Sequence, residues 1–219
     1  MRIAAIIALL LATAAAHAQE TLPPTDDSAK DPSFAAFRAE LLQVIEAKDV
    51  KALTAILARD IKVDFGGGEG RKDFLAAWGL DTAPADSAIW AELQTVLTLG
   101  AVSEEGGFVA PYVFARWPDE ADAFEYVAAI IPEAPLLSDP CDPASVIAKA
   151  DYTLLRTLAT DERTQALTCD WPEKFAYVSD SAGHDGFIAR ENIRSPLDYR
   201  ARFESHNGHW EMTFFIAGD

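Results

Sequence analysis

Positive charge is scarce in this chain. Its 219 residues carry 18 Lys and Arg against 35 Asp and Glu, a formal net charge of −17. That balance argues against nucleic acid, anionic membrane surfaces and polyphosphate ligands, all of which the chain would repel. Cysteine is limited to Cys141 and Cys169, and neither lies in a CxxC or beside a histidine. Thiol catalysis and a Cys-based metal site are therefore not indicated. No HExxH, GxSxG or SxxK pattern occurs, so the common hydrolase signatures are missing. Beyond the first residues no apolar run approaches the length of a membrane span.

What is present begins with an export signal. Arg2 supplies a positive start, Ile3 to Ala16 is an apolar run, and Ala16-His17-Ala18 is an A-x-A cleavage site. No Cys follows, so lipoprotein processing has no acceptor. Cleavage near Ala18 removes Arg2 and predicts a periplasmic or secreted product. In such a compartment an even cysteine count reads as a disulfide between Cys141 and Cys169. The excess of acid suits solubility or a cationic partner.

Residues 19–32 are polar, with Pro23-Pro24 and no apolar period, and read as a flexible leader. Ser33 reads as the N-cap of a helix bearing Phe34, Phe37, Leu41 and Ile45. Asp49 caps a second, bearing Val50, Leu53, Ile56 and Leu57. Ile61 to Phe65 alternates as a strand and enters Gly66-Gly67-Gly68-Glu69-Gly70. Arg71-Lys72-Asp73 follows, where a dinucleotide or phosphate loop would need a small residue or Gly-Lys-Ser/Thr, so these glycines read as a turn. A short helix with Phe74, Leu75 and Trp78 ends at Gly79, and Ile89 to Leu99 forms an amphipathic helix closed by Gly100. Phe108 to Phe114 reads as a strand, with Pro111 marking an edge or bulge.

From about Ala123 short apolar runs alternate with turn residues, which suggests a small barrel over 123–196. The strongest local signal lies at the end of the chain. Asn207-Gly208 fits a type I′ turn, and alternation on both sides agrees with it. The register sets Ser205 opposite Trp210, Phe203 opposite Met212, Ala201 opposite Phe214 and Tyr199 opposite Ile216. Phe215 is the apolar exception on the other face. The same register pairs His206 with His209 and Glu204 with Glu211, with Arg202 placed diagonally to Glu211. That is close enough for zinc, but no supporting partner orients the imidazoles, so no metal is expected.

Pro135-Leu136-Leu137, Val146-Ile147-Ala148, Thr153-Leu154-Leu155, Phe175-Ala176-Tyr177-Val178 and Asp185-Gly186-Phe187-Ile188-Ala189 resemble the successive strands of a bacterial SH3-like (SH3b) domain. Asn192-Ile193-Arg194 resembles its short ending. The likeness covers about 134–195. Trp171 stands earlier than the family pattern has it, and Gly183-His184-Asp185-Gly186-Phe187 is a variant of the family turn. More faintly, Leu42 to Trp78 is similar to the opening of NTF2-like proteins, in which two helices lead to a strand and a third helix. Those folds finish with long antiparallel strands and hold a pocket between the opening helices and the sheet.

Together these imply an α+β chain. Residues 1–18 are the signal, 19–32 the leader and 33–122 a helix-rich, NTF2-like segment. An SH3-like β-barrel covers 123–196, and a C-terminal β-hairpin over 197–219 packs on the N-terminal segment. The SH3-like resemblance implies an aromatic groove for a peptidoglycan or envelope protein ligand. Trp171, Phe175, Tyr177 and Phe187 are its candidate residues, with Trp171 the one expected at the surface. No catalytic residues, cofactor or metal are assigned, and the chain reads as non-enzymatic. The alternative is an NTF2-like small-molecule binder or enzyme with an accessory barrel. A deep cavity lined by Leu53, Ile56, Phe65 and Trp78, with Asp64 inside, would favour it.

Overall fold

A computed structural model describes residues 21–219, so the expected signal at 1–18 lies outside the described residues. The chain opens with α1 (Pro32–Glu46), α2 (Val50–Ile56), β1 (Leu57–Lys62) and α3 (Arg71–Ala77). Next come α4 (Ile89–Thr98), β2 (Val102–Glu104), β3 (Gly107–Ala110) and α5 (Tyr112–Ala115). A strand-rich stretch holds β4 (Tyr126–Ala129), β5 (Ala134–Leu137), β6 (Val146–Ala150) and β7 (Leu154–Thr157). Two short helices follow, α6 (Glu162–Gln165) and α7 (Trp171–Lys174), then β8 (Phe175–Ser179), β9 (Asp185–Ala189) and β10 (Ile193–Arg194). The last elements are β11 (Arg200–His206) and β12 (His209–Ile216).

These elements form a mixed α+β architecture with two sheets. One has five strands in the order β1-β12-β11-β3-β2, and the other has seven in the order β10-β4-β7-β8-β9-β5-β6. The expected barrel over 123–196 is not closed. Its sheet ends at β10 on one side and β6 on the other, and these two do not pair. Between β3 and β11 the chain builds the whole second sheet, then returns, and β11 pairs with β3 while β12 pairs in parallel with β1.

The tip of the last hairpin keeps the register that its turn dictates. Asn207 and Gly208 both have positive φ (54° and 81°), and Ser205–Trp210, Glu204–Glu211 and His206–His209 are opposed. Farther along the register slips. Phe203 opposes Met212 but Arg202 opposes Phe214, so Thr213 is a bulge residue. The slip by one residue exchanges faces: Ala201 meets Phe215 instead of Phe214, and Arg200 instead of Tyr199 meets Ile216. Phe215 is thereby fully buried rather than an outlier on the polar face, and Phe214 turns away from that core. Arg202 also departs from expectation, bonding to Glu204 and Glu104 rather than reaching Glu211.

Other local expectations shift for identifiable reasons. Asp31, not Ser33, caps α1, its Oδ1 accepting from the Ser33 and Phe34 amides. β1 starts at Leu57, directly after α2, so the strand lies four residues earlier than the alternation at Ile61 suggests. Pro111 ends β3 after a cis Ala110–Pro111 bond, and the residues after it form α5 rather than more strand. The stretch expected to be a flexible leader is docked from Thr21 onward. Leu22 is buried, its amide bonds to the Tyr152 carbonyl, and the Asp27 amide bonds to the Ala101 carbonyl.

Two cores sit against the two sheets. The larger lies between α1, α2, α3, α4 and the five-stranded sheet and includes Phe34, Leu53, Ile61, Phe74, Leu93, Phe203 and Phe215. A second packs on the seven-stranded sheet with Leu136, Leu155, Val178 and Ile188. A third cluster joins them: Leu22, Val102, Tyr112, Val113, Ala128 and Leu154 pack from the leader, both sheets and α5.

Candidate functional site

The four candidate groove residues do come together, but as packed core. Phe187 is fully buried, Trp171 is 7% exposed and Tyr177 8%, while Phe175 is half-buried. Trp171 meets Phe187 edge-on with ring centroids 5.1 Å apart, and Tyr177 lies 4.9 Å from Phe187. The reason is tertiary. The connection from β7 to β8, carrying α6 and α7, folds over this face and adds Leu167 and Cys169 to the cluster. Trp171 is not the surface residue expected; its indole N–H donates to the Thr164 carbonyl inside that connection (3.1 Å). Cys141 and Cys169 are bonded, with Cα atoms 5.6 Å apart, and the bridge ties the β5–β6 connection to the same cover. The open aromatic groove is therefore a correction: these rings are occupied by the chain itself.

The space between the opening helices and the five-stranded sheet is also filled. Phe34 of α1 stacks on Phe108 of β3 with centroids 3.9 Å apart, and Phe203 lies 5.7 Å from both Phe34 and Phe37. Leu53 is fully buried in this packing, and Trp78 packs on Tyr199 and Phe215. Phe65, expected to line a cavity here, is 57% exposed. Asp64 is an exposed turn carboxylate whose Oδ1 accepts from the Gly68 amide (2.9 Å). Neither residue faces a helix–sheet hollow.

Buried polar groups lie where the elements join. The Tyr112 hydroxyl is buried with no hydrogen-bond partner among the described residues, and burial, followed by the nearby Tyr152, pushes its pKa up to about 12. Arg194 on β10 is 8% exposed; its Nη2 donates to Glu92 of α4 (2.6 Å) and to the Tyr199 carbonyl (2.8 Å), pinning the second sheet to the first layer. Arg200 is 5% exposed, donates to the Gly218 carbonyl and lies over the Phe114 ring at 4.6 Å. Burial lowers its pKa, opposed by Asp219. Burial also acts to raise the pKa of Asp26, but hydrogen bonds from Ser28 and the charge of Arg38 outweigh it and hold the carboxyl below its usual value. Arg38 further donates to the Leu97 carbonyl, so the docked leader is tied to α1 and α4.

One open cleft sits at the tip of the last hairpin, and sequence reasoning missed it. It measures about 540 Å³ and lies between α1, the end of α2 and the turn, with Phe37, Ile56 and Trp210 on its walls and Glu40, His209 and Glu211 around them. A second hollow of about 410 Å³ lies past Trp210, toward β2 and β3. Each of the three segments around the first cleft contributes two to four residues, so no local motif announces the site. Among the described residues no group of three or more metal-capable side chains clusters, and no helix is long and apolar enough to cross a membrane. No family model, curated protein or solved structure matches the chain.

Proposed function

We propose that this is an exported, non-enzymatic binding protein of the bacterial envelope, with an SH3-like module inserted in an NTF2-like scaffold. The chain path supports the module. Three consecutive strand pairs, β5–β6, β7–β8 and β8–β9, are antiparallel neighbours, and β10, the short ending at Ile193-Arg194, pairs with β4. The order α1, α2, β1, α3 and the long closing strands β11 and β12 support the scaffold. The single observation that carries the functional reading is the filling of the helix–sheet space by Phe34, Phe108 and Phe203. A small-molecule enzyme on such a scaffold needs that space empty and a polar pair inside it.

The ligand is a cell-wall or protein component, bound without turnover. Retention of the purified chain on cell-wall sacculi or on an immobilised envelope protein fraction, with the ligand recovered chemically unchanged, is the expected result. Hydrolysis or isomerisation of a small substrate by the pure protein, with no retention on either matrix, would reverse the reading.

A further inference from the structure

We propose that the cleft at the hairpin tip receives an arginine or lysine side chain from an extended, cationic segment of a partner protein. This rests on the reading of the chain as a binding protein and names the class of its ligand.

The cleft pairs an apolar wall with uncompensated acid. Phe37, Ile56 and Trp210 supply surface for the aliphatic stem of a long basic side chain, and an aromatic face attracts its charged head. Glu40 and Glu211 stand on opposite elements of the same cleft, and no Lys or Arg lines it. Neither carboxylate makes an ion pair among the described residues, whereas Glu204, directly opposite Glu211, is already held by Arg202. A cation with an apolar body fits both features; an anion or a second carboxylate fits neither.

The surface favours an extended segment over a free small amine. The second hollow shares Ser33 and Trp210 with the first, so the two form a track that crosses the indole. In the second hollow the charges are engaged: Lys30 is paired with Asp27, Glu104 is paired with Arg202, and the Asp31 carboxylate accepts from the Ser33 and Phe34 amides. Recognition of charge therefore falls to the first cleft, and the second offers Ser103, Ser205 and the backbone at Gly106 and Gly107 to the rest of the segment. The formal charge of −17 draws such a segment in.

The test is calorimetric titration of the full mature chain with the peptide acetyl-Ala-Arg-Ala-Leu-Arg-Ala-amide. Salt is held at about 0.15 M, where the Debye length of about 8 Å screens the summed field of distant charges. The same peptide with Glu in place of Arg is the counter-probe. The expected result is binding of the arginine peptide, weakened at least about tenfold in the double variant Glu40→Gln, Glu211→Gln. It should be unchanged in Glu173→Gln, Glu191→Gln, which removes equal charge from exposed sites on the other module. Thermal melts establish that both variants fold. Equal weakening in the two variants, equal binding of the glutamate peptide, or no binding of the arginine peptide would each overturn the proposal. Retention of an envelope ligand undiminished in Glu40→Gln, Glu211→Gln would also overturn it while leaving the binding-protein reading intact. Turnover of a small substrate would remove that reading and leave the cleft result standing.

Discussion

The indole N–H of Trp210 donates to the hydroxyl of Ser33 at 3.0 Å, joining the C-terminal hairpin to the first turn of α1 across 177 residues of sequence. The ring itself packs edge-on to Phe34 at 5.0 Å and to Phe108 at 5.7 Å. Trp210 is half-buried, one face in this cluster and the other toward the cleft. Trp210→Ala is expected to cost about 2–4 kcal/mol, below a fully buried tryptophan because part of the ring is already in water. Trp210→Phe keeps the packing and loses the hydrogen bond, about 1 kcal/mol. Denaturant titrations of the two variants check the ranking; equal effects would mean the ring contributes nothing beyond its N–H.

Arg194 and Glu92 hold the two layers together. Arg194→Ala is expected to destabilise by about 3 kcal/mol, because it leaves the Tyr199 carbonyl and a partly desolvated carboxylate without their donor. Glu92→Gln retains an acceptor and costs less. Thermal melts decide between them, and an Arg194→Ala change under about 1 kcal/mol would show that the layers are joined by apolar packing alone.

The disulfide is expected to act on stability. The paired substitution Cys141→Ser, Cys169→Ser should lower it by about 3 kcal/mol in the chain-entropy model for a loop of this length. It should also raise proteolysis between β7 and β8, where the cover over Phe187 loses its tie. Limited proteolysis with mass analysis reads the site of cutting. Faster cutting confined to other regions would show that the bridge does not hold this cover.

Tyr112 predicts an alkaline dependence. Its folded pKa of about 12 lies above the ordinary 10.0, so between these values the unfolded chain loses its proton first. The stabilising difference is whole below about pH 10 and is lost as pH rises from about 10 toward 12. Tyr199 is raised by burial and by Glu92 and slopes the same way. Tyr112→Phe removes a buried hydroxyl without a partner, so it is expected to be neutral or stabilising by up to about 1 kcal/mol at neutral pH. It should also flatten the alkaline fall. Stability curves at several pH values test both effects; a loss above about 1 kcal/mol at neutral pH would mean the hydroxyl has a partner in solution.

The sequence carried the α+β class and the tip of the last hairpin, because at Asn207-Gly208 turn chemistry and alternation agree. It could not carry the bulge at Thr213: either register puts large apolar residues on the core face, and only packing against Phe74 of α3, Trp78 and Tyr199 selects Phe215 over Phe214. Nor did it show that β1 follows α2 without a break, since no Gly or Pro lies anywhere in residues 50–62 to mark the junction at Ile56-Leu57. The aromatics that the SH3-like resemblance assigns to a groove share one packed cluster. Their burial has no linear signature because it depends on how the connection from β7 to β8 folds back over them. The cleft at the hairpin tip has no linear signature at all; it exists only once α1, α2 and the turn are side by side.

The proposed reading as a binding protein depends on the space between α1 and the five-stranded sheet being full. Diffraction from crystals pressurised with xenon measures this directly, because xenon enters dry apolar cavities and is located by its scattering. The stacked rings of Phe34 and Phe108 and the buried Leu53 and Phe203 predict no xenon site among them. A xenon atom bound between α1 and the sheet, against Leu53 and Phe203, would reveal a concealed pocket and contradict the account.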